Sequence, residues 1–316
     1  MRCLVTGCAG FIGSHLTEAL LAQGHEVVGV DAFAPTYDRW AKERNLERAR
    51  ADRRFRLVEA DLAEAPLADL VNGIDVVFHL AGEPGVRQSW GERFATYVRN
   101  NVLATERLLN ACVDLSLQRF VYAGSSSVYG DAPDLPWRET TCPQPRSPYA
   151  ISKLAAEHLC TTYHLSFGVP ATVLRYFTVY GPRQRPDMAF HRWLRAGLTG
   201  DPISVFGSGE KSRDFTFVAD IVAATIAAGT AGGAVGGTFN VGGSNRATID
   251  QLLVLIESLI GRPLVIERRA HQEGDVQHTW ADTSQAAAVL GYHPTVGLTE
   301  GLERELAWMR TLLAAS

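Results

Sequence analysis

Two side chains spaced four residues apart carry the clearest sign of chemistry in this sequence. Tyr149 and Lys153 belong to the run S-P-Y-A-I-S-K, in which a serine followed by a proline is typical of the first turn of a helix. Residues at this spacing share one face of a helix, so the phenol and the ammonium lie side by side. An adjacent ammonium lowers the pKa of a phenol, which can then act as a general base near neutral pH. The same spacing also occurs by chance on solvent-exposed helices, so its meaning depends on the rest of the chain.

A glycine-rich turn near the first residue is the second such feature. It has the form G-x-x-G-x-x-G between a predicted strand and a predicted helix, and its candidate cofactor contacts are Gly7, Gly10, Phe11, Ile12 and Gly13. Glycines here let a pyrophosphate approach bare backbone at a helix N-terminus. Asp31 ends the next predicted strand, where a carboxylate accepts the hydroxyls of an adenosine ribose and disfavours a 2′-phosphate. We therefore expect NAD rather than NADP, with the positive charge of the oxidised nicotinamide lowering the phenol pKa further.

Strands and helices alternate along the first part of the chain, which is typical of a parallel sheet. Short β-branched runs predict strands at residues 3–6, 26–31, 56–59, 76–80, 119–123 and 171–175, with helices at 13–23 and 97–115. We therefore predict an α/β fold, a doubly wound parallel Rossmann sheet, with residues 1–175 as the NAD-binding domain. Ligands of such sheets bind at the carboxyl ends of the strands, which is where the glycine turn and Asp31 fall.

The later part of the chain is expected to form a smaller C-terminal α/β lobe that binds the nucleotide-sugar substrate. Strands are predicted at 203–206 and 264–267, helices at 218–228 and 249–259, and loops in the Pro- and Gly-rich stretches 133–148 and 197–209. Residues 176–316 belong mainly to this lobe. A strand near 239–241 can return to the main sheet, so residues 215–245 are expected to rejoin the first domain.

Composition and charge exclude several classes of protein. The 316 residues are 46% hydrophobic and 20% charged, as in ordinary globular proteins. A net charge of −4 provides no broad positive field for nucleic acid. The most apolar stretch, 217–237, contains an aspartate and several glycines, which favours a buried helix over a membrane span. Five scattered cysteines show no metal-binding spacing, and a strand predicted at the very start leaves no room for a signal peptide. We expect a cytoplasmic protein with no metal site, no membrane anchor and no nucleic-acid partner.

The order of these parts resembles the extended short-chain dehydrogenase/reductase family of nucleotide-sugar enzymes. Besides the glycine turn and the Y-x-x-x-K pair, the likeness rests on H-L-A-G at 79–82, G-S-S-S-V-Y-G at 124–130, R-Y-F-T-V-Y-G-P at 175–182, S-R-D-F at 212–215 and G-D-V at 274–276. The resemblance implies a catalytic triad of Ser125, Tyr149 and Lys153. Tyr149 would take the proton of a sugar hydroxyl while a hydride leaves the same carbon for NAD. Ser125 would hydrogen-bond that oxygen, and Lys153 would also bind the nicotinamide ribose.

The resemblance also implies further cofactor contacts, namely Asp61, Leu62, Leu80, Ala81 and Tyr176. The two residues after Ser125 distinguish the reactions of the family. Its dehydratases carry an Asp-Glu pair directly after the catalytic hydroxyl and its glucuronate decarboxylases carry a Glu two residues after it, whereas this chain has Ser126 and Ser127. Without a carboxyl group there, elimination has no evident proton carrier, and epimerisation needs none. The resemblance therefore favours a 4-epimerase, in which a transient 4-keto sugar rotates and receives the hydride on its other face.

The resemblance is most specific to UDP-glucuronate 4-epimerases, including actinobacterial members from antibiotic sugar pathways such as that of moenomycin. It rests on G-P-R-Q-R-P-D-M-A-F at 181–190, G-V-R at 85–87 and the segment 37–50. We hypothesise that hydroxyls of Ser126, Ser127 and Thr178 hold the hexuronate carboxylate away from the orientation that favours loss of carbon dioxide. The other substrate contacts that the resemblance suggests are Arg87, Arg185, Arg192, Phe206, Arg213, Gln272 and Asp275. Because Gln272 stands where galactose-type epimerases have arginine, we expect the diphosphate to be held with one charge less.

Three other functions stay open at this point. UDP-glucuronate decarboxylase and a neutral UDP-hexose 4-epimerase are alternatives within the family; Ser127 argues against the first, and the R-Q-R-P-D-M segment against the second. A non-catalytic NAD-sensing protein of the same fold is the alternative outside enzymes, although such a protein typically loses the tyrosine and the lysine. Apolar faces on the predicted helices 97–115 and 149–167 resemble the four-helix dimer interface common in the family, so we expect a homodimer.

Overall fold

A seven-stranded parallel sheet forms the centre of the molecule. The computed structural model describes residues 1–243, 245–270, 274 and 276–314. In chain order the strands are β1 (Arg2–Thr6), β2 (Glu26–Asp31), β3 (Phe55–Glu59), β4 (Val76–His79), β5 (Arg119–Ser125), β6 (Ala171–Tyr176), β7 (Thr178–Tyr180), β8 (Ile203–Phe206), β9 (Ser212–Phe217), β10 (Thr238–Val241), β11 (Asn245–Thr248) and β12 (Ile266–Arg269). The sheet has the order β10-β6-β5-β4-β1-β2-β3, and every neighbouring pair in it is parallel. The prediction of a doubly wound Rossmann sheet is confirmed.

Helices cover both faces of this sheet. In chain order they are α1 (Phe11–Ala22), α2 (Arg39–Asn45), α3 (Glu47–Arg50), α4 (Ala68–Val71), α5 (Phe94–Tyr97), α6 (Ala104–Ala111), α7 (Pro148–Phe167), α8 (Ala189–Thr199), α9 (Val218–Thr230), α10 (Ile249–Ile260), α11 (Ser284–Leu290) and α12 (Leu298–Ala314). Strand side chains alternate between two cores: Val5 packs with α1 and α9, whereas Leu4 packs with α6 and α7. Burial on both faces explains why the strands are almost continuously apolar.

Two smaller sheets lie beside the main one. Strand β9 pairs with β7 in parallel and with β11 in antiparallel fashion, and β8 pairs with β12 in parallel. Helices α8, α10 and α12 pack with them in the same apolar core as α1 and α9. Strand β10 pairs with β6 and so extends the main sheet from the later part of the chain.

The prediction of a loop over 197–209 is wrong at its beginning, because helix α8 continues to Thr199. The strand predicted at 203–206 within this stretch is confirmed as β8. Gly197 lies inside α8, where an added Cβ would come within 2.3 Å of Ile260 Cδ1 on α10. The glycine therefore permits close packing of two helices instead of marking a turn, and the helix ends at Gly200, whose φ is +90°.

The helix predicted over 97–115 begins earlier and ends earlier than expected. It consists of α5, a π-helical segment Val98–Leu103, and α6, which ends at Ala111. Strand β5 extends two residues beyond its predicted end and brings Ser125 to the carboxyl edge of the sheet. Within the described residues, no helix is long and apolar enough to cross a membrane.

Candidate active site

A cavity of about 780 Å³ lies at the carboxyl ends of the central strands. Its walls include residues that directly follow β1, β2 and β4, together with the start of α7. All the predicted cofactor contacts line it: Gly7, Gly10, Phe11, Ile12, Gly13, Asp31, Asp61, Leu62, Leu80, Ala81, Tyr149, Lys153 and Tyr176. Ligands of open α/β sheets bind in this position, so the fold itself brings these residues together.

The glycine turn provides the close approach that a dinucleotide needs. Gly7 has a φ of +69°, and an added Cβ there would lie 2.9 Å from the backbone nitrogen of Ala81. An added Cβ at Gly13 would lie 2.1 Å from the carbonyl oxygen of Gly7. Helix α1 starts after Gly10 without a side-chain cap, so its first N–H groups face the cavity. Bare backbone and uncapped donors together fit a pyrophosphate.

Asp31 is held in place for the adenosine end of the cavity. Its Oδ2 accepts a hydrogen bond from the backbone N–H of Ala9 at 3.0 Å, and its Oδ1 accepts one from Phe33 at 2.8 Å. The ammonium of Lys42 lies 3.9 Å from Oδ1. These contacts keep the carboxylate oriented, as recognition of two ribose hydroxyls requires.

A chain of hydrogen bonds fixes the H-L-A-G turn after β4. Thr105 donates to the carbonyl of Asn101 at 2.6 Å, so it accepts from Nε2 of His79 at 2.9 Å. Nδ1 of His79 then accepts from the hydroxyl of Thr6 at 2.7 Å. That hydroxyl in turn accepts the N–H groups of residues 80 and 81 at 3.2 and 3.1 Å. Burial lowers the pKa of His79 to about 3, so the ring is neutral and its role here is to position the turn.

The three predicted catalytic side chains meet at the junction of β5 and α7. Ser125 is the last residue of β5, and its side chain lies close enough to the Tyr149 phenol to lower the pKa of that phenol. Tyr149 follows Pro148 at the start of α7. Ser147 caps this helix, because its hydroxyl accepts a hydrogen bond from the N–H of residue 150 at 3.1 Å. Lys153 is one helical turn further on and is only 8% exposed. The arrangement can take a proton from a hydroxyl held between Ser125 and Tyr149.

The pKa of Tyr149 is raised in the protein alone, whereas the sequence led us to expect a lowered pKa. Burial raises it, while the Ser125 side chain and the positive charge of Arg185 act in the opposite direction. The ammonium of Lys153 lies over the Tyr122 ring, 4.4 Å from its centroid. In the protein alone the phenol is therefore protonated at neutral pH. A bound nicotinamide supplies the positive charge that lowers this pKa.

Lys153 predicts an alkaline limit to activity. Burial lowers its pKa to about 8, against the opposing effects of Cys160 and Glu157. The ammonium is therefore charged below this pH and neutral above it, and we expect kcat/KM to fall as the pH rises through about 8. A pH profile of the wild-type enzyme checks this, with Lys153→Arg as the matched variant, because its guanidinium stays charged and should lack the alkaline limb. An alkaline limb of equal position in both proteins contradicts the assignment to Lys153.

The hydroxyls proposed for the substrate carboxylate adjoin the catalytic serine. Ser126 and Ser127 begin the 3₁₀ turn Ser126–Tyr129, and Ser125 donates to the Oγ of Ser127 at 3.0 Å. Thr178 begins β7, the strand that follows β6. Arg185 lines the cavity and forms a two-point contact with Asp187, with both N–O distances 3.0 Å.

Of the substrate candidates within the described residues, only Arg185 lines this cavity. The guanidinium of Arg87 lies over the Phe206 ring, 4.4 Å from its centroid. Arg213 donates to the carbonyl oxygens of Val276 and Gln277 at 2.7 and 3.1 Å, so it holds the segment around residue 276. Arg192 is exposed on α8 and does not line the cavity, so its contact with substrate stays a prediction. Gln272 and Asp275 lie outside the described residues.

Some residues of the cavity wall, and the buried Asn101 that contacts the wall residue Glu83, were not predicted from the sequence. Asn101 lies in the π-helical segment; its amide donates to Ser152 Oγ at 2.9 Å and its Oδ1 accepts from the N–H of Glu83 at 2.6 Å. Glu83 and Lys42 line the cavity. Glu83 directly follows H-L-A-G, which is a signal that could have found it, whereas Asn101 depends on a contact with α7 that spacing does not reveal. Within residues 1–243, 245–270, 274 and 276–314, no cluster of His, Cys, Asp and Glu could hold a metal ion.

The fold and the Tyr149–Lys153 pair define a Rossmann-type, cofactor-dependent enzyme, and sequence comparison gives its family. A profile of the NAD dependent epimerase/dehydratase family matches residues 3–242. The chain belongs to this family, and NAD is its cofactor.

The chain is also similar to individual proteins over nearly its whole length. It is 44% identical over 313 residues to the uncharacterized UDP-glucose epimerase YtcB of Bacillus subtilis, covering 99% of each chain. It matches the crystal structure of UDP-glucuronic acid 4-epimerase from Bacillus cereus in complex with UDP-glucuronic acid and NAD, with a TM-score of 0.97 and 42% identity over 99% of this chain and 100% of that one. It matches MoeE5 in complex with UDP-glucuronic acid and NAD, with a TM-score of 0.89 and 40% identity over 99% and 100% of the chains.

Proposed function

We propose that this protein is a UDP-glucuronate 4-epimerase that interconverts UDP-glucuronate and UDP-galacturonate through a transient 4-keto sugar. The observation that carries the proposal is the junction of β5 and α7, where Ser125 and Tyr149 meet and the two following positions carry hydroxyls instead of carboxyl groups. The similarity to the Bacillus cereus enzyme supports the choice of substrate.

Each residue at this junction has a separate role in the reversible oxidation of the sugar at C4. Tyr149 takes the proton from the C4 hydroxyl and returns it after the sugar has turned. Ser125 donates a hydrogen bond to the same oxygen and passes the proton between it and the phenol. Lys153 supplies a positive charge and binds the nicotinamide ribose. The chemistry that bound NAD supplies is reversible hydride exchange at C4.

The hydroxyls next to Ser125 explain why the reaction stops at epimerisation. Elimination across neighbouring carbons needs a positioned acid or base, and Ser126 and Ser127 cannot provide one near neutral pH. A 4-keto glucuronate is a β-keto acid and loses carbon dioxide when its carboxylate stands perpendicular to the ketone. Hydroxyl donors from Ser126, Ser127 and Thr178 hold the carboxylate out of that orientation, with Arg185 as the charged partner.

Removing one of these donors is expected to change the products. In Ser127→Ala the carboxylate loses a donor and Ser125 loses its own acceptor, so we expect UDP-xylose or its 4-keto precursor to form beside UDP-galacturonate. NMR of the nucleotide sugars and of released carbon dioxide measures the ratio. Ser284→Ala, at the first turn of the distant helix α11, is the control. An unchanged product ratio in Ser127→Ala rules out this role.

The later lobe supplies the contacts to UDP in this proposal. Residues 1–175, rejoined by the 215–245 region, bind NAD, and residues 176–316 mainly bind the nucleotide sugar. Arg87 stacked on Phe206, and Arg213 beside the segment at residue 276, provide guanidinium groups for the diphosphate region. The resemblance adds Gln272 and Asp275, which lie outside the described residues, as further expected contacts.

A neutral UDP-hexose is the second candidate substrate, because the similar Bacillus subtilis protein carries the name of a UDP-glucose epimerase. Arg185 in the catalytic cavity favours an acidic sugar. The test is to incubate the purified protein with UDP-glucuronate or UDP-glucose, without added reductant, and to follow both by NMR. UDP-galacturonate without carbon loss supports the proposal; turnover of UDP-glucose alone replaces it with the second candidate, and carbon loss replaces it with a decarboxylase.

We further propose that two copies of the chain associate through α5–α6 and α7, in a cytoplasmic homodimer. Large apolar side chains on these helices are exposed in the single chain: Phe94, Val98, Leu103, Ile151, Leu165 and Phe167. Apolar patches of this kind are typical of protein interfaces. Light scattering after size exclusion is expected to give twice the chain mass, and Leu103→Asp with Ile151→Asp is expected to give monomers. A monomeric wild-type protein contradicts the proposal.

A further inference from the structure

We propose that Arg183 and Glu18 are positioning residues that fix Arg185 beside Tyr149, so that the cofactor-binding helix α1 sets the location of the charge in the catalytic cavity. The part of this inference that concerns UDP-glucuronate affinity rests on the proposed function. The part that concerns Tyr149 does not, because it applies to any sugar that the enzyme turns over.

The segment between β7 and α8 is attached to α1 by three polar contacts. The guanidinium of Arg183 donates to Glu18 Oε1 at 2.7 Å and to Ser14 Oγ at 3.2 Å. His15 donates from Nε2 to the carbonyl oxygen of Pro182 at 2.8 Å. The Arg183–Glu18 pair is largely buried, with side chains 14% and 22% exposed, so solvent screens it less than a surface pair.

Arg183 adopts a strained backbone conformation that contacts with its surroundings must stabilise. Its φ is +68°, in the left-handed region that costs a non-glycine residue about 1 kcal/mol or more. Such strain persists where surrounding contacts determine the conformation, and it is frequent at functional sites. Here the side-chain contacts with α1 are those contacts, and the turn they enforce directs the chain to Arg185 two residues later.

The segment is also fixed from its other side. The N–H of Gly181 donates to Oε2 of the buried Glu305 on α12 at 2.8 Å. Gln184 donates to the carbonyl of Val179 at 3.1 Å and accepts from the N–H of His191 at 3.0 Å. With both ends held, loss of the α1 contacts has a specific expected effect, a shift of Arg185, without unfolding of the segment.

Arg185 is the residue through which this attachment reaches the chemistry. It lines the same cavity as Tyr149, and its positive charge lowers the pKa values of Tyr149 and Tyr97. The two-point contact with Asp187 uses Nε and Nη2, and Nη1 makes no hydrogen bond within the described residues. The charged and titratable groups around Tyr149 are Lys153 on its own helix, Tyr97 from α5, Tyr122 from β5, and Arg185.

Helix α1 links the position of Arg185 to the position of the cofactor. The helix begins at the glycine turn that holds the pyrophosphate, and Glu18 lies five residues beyond Gly13 on the same rigid element. One helix therefore determines both the position of the cofactor and the position of the Arg185 charge. An error of about 1 Å in placing such a group can cost about 100-fold in rate, so a dedicated attachment has a clear function.

The test uses Glu18→Gln, which removes the negative charge of the pair, and Arg183→Lys, which keeps the positive charge but lacks the planar guanidinium that spans Glu18 and Ser14. We expect the KM for UDP-glucuronate to rise about 10-fold or more. The acid limb of the kcat/KM profile is expected to move to higher pH, since a displaced positive charge no longer lowers the pKa of Tyr149. Bound NAD and Tm are expected to stay close to wild type. Glu300→Gln is the matched control, because Glu300 forms an exposed ion pair with Arg304 on α12. This variant is expected to change neither the KM nor the acid limb.

A double-mutant comparison separates positioning from a merely structural role. In an Arg185→Ala background, Glu18→Gln should cause no further change in KM or in the acid limb, because the group it positions is gone. Effects that persist in that background, or a fall in Tm and kcat with KM and the acid limb unchanged, overturn the proposal. If UDP-glucose is the sugar turned over, the proposed function fails, and the acid limb measured with UDP-glucose still decides the role of Glu18.

Discussion

Tyr149→Phe is expected to lower kcat by about 10²–10⁴-fold, the range that a positioned general base contributes. The substitution removes the one hydroxyl that takes the C4 proton and leaves the aromatic ring to pack against Tyr97, whose centroid is 6.2 Å away. The KM for the nucleotide sugar and the amount of bound NAD are expected to change little. Steady-state rates with UDP-glucuronate, together with cofactor content measured after denaturation, test this.

Tyr163→Phe is the matched control for the catalytic tyrosine. Tyr163 lies on the same helix α7, outside the cavity, and its hydroxyl donates to Glu106 at 2.6 Å. This variant is expected to keep the wild-type kcat and to lose a small amount of stability. Equal losses of kcat in the two variants would show that disturbance of α7, rather than removal of the general base, explains the result.

Gly13→Ala is expected to abolish NAD binding and to lower the free energy of unfolding by at least about 3 kcal/mol. The added Cβ would come within 2.1 Å of the Gly7 carbonyl oxygen and 2.8 Å of its carbonyl carbon. These are backbone atoms of the turn itself, so relief requires the turn to open and the pyrophosphate site to be lost. Cofactor content and denaturant titration measure the two effects.

Gly232→Ala provides the comparison for this prediction. No atom lies within 4 Å of a Cβ added at Gly232, and its φ is not in the left-handed region. We expect it to bind NAD normally and to be as stable as wild type or slightly more stable. A Gly13→Ala protein that still retains NAD contradicts the assignment of this turn to the pyrophosphate.

Local sequence patterns were sufficient to predict the fold class, and the residues that they predict as cofactor contacts line one cavity. Each of these patterns lies at one strand end or within one helix: the glycine turn, Asp31 and the Tyr149–Lys153 spacing. They can therefore be interpreted without knowledge of distant contacts. Parallel strands then bring these separate segments to one edge of the sheet. For the same reason the cavity contains every residue predicted to contact the cofactor.

Features that depend on distant contacts could not be predicted in this way. Asn101 acquires its role from Ser152, which is 51 residues away in sequence. Arg213 donates to carbonyl groups near residue 276, and no pattern around it indicates those partners. Gly197 was interpreted as part of a loop, because the side chain of Ile260 that requires a glycine there lies on another helix. The pKa of Tyr149 likewise depends on burial in the folded chain.

The location of Ser125 at the very end of β5 bears on how this scaffold can acquire new reactions. The strand before it is buried along its whole length, whereas Ser126 and Ser127 start a separate short turn. If the proposed function holds, substitutions at these two positions alter the groups offered to the sugar with little effect on the packing of the sheet. Evolution, or a protein engineer, can in this way change the outcome after the ketone forms while the hydride chemistry and the folding stability stay the same. The two serines are thus a natural starting point for directed evolution of related sugar-nucleotide enzymes.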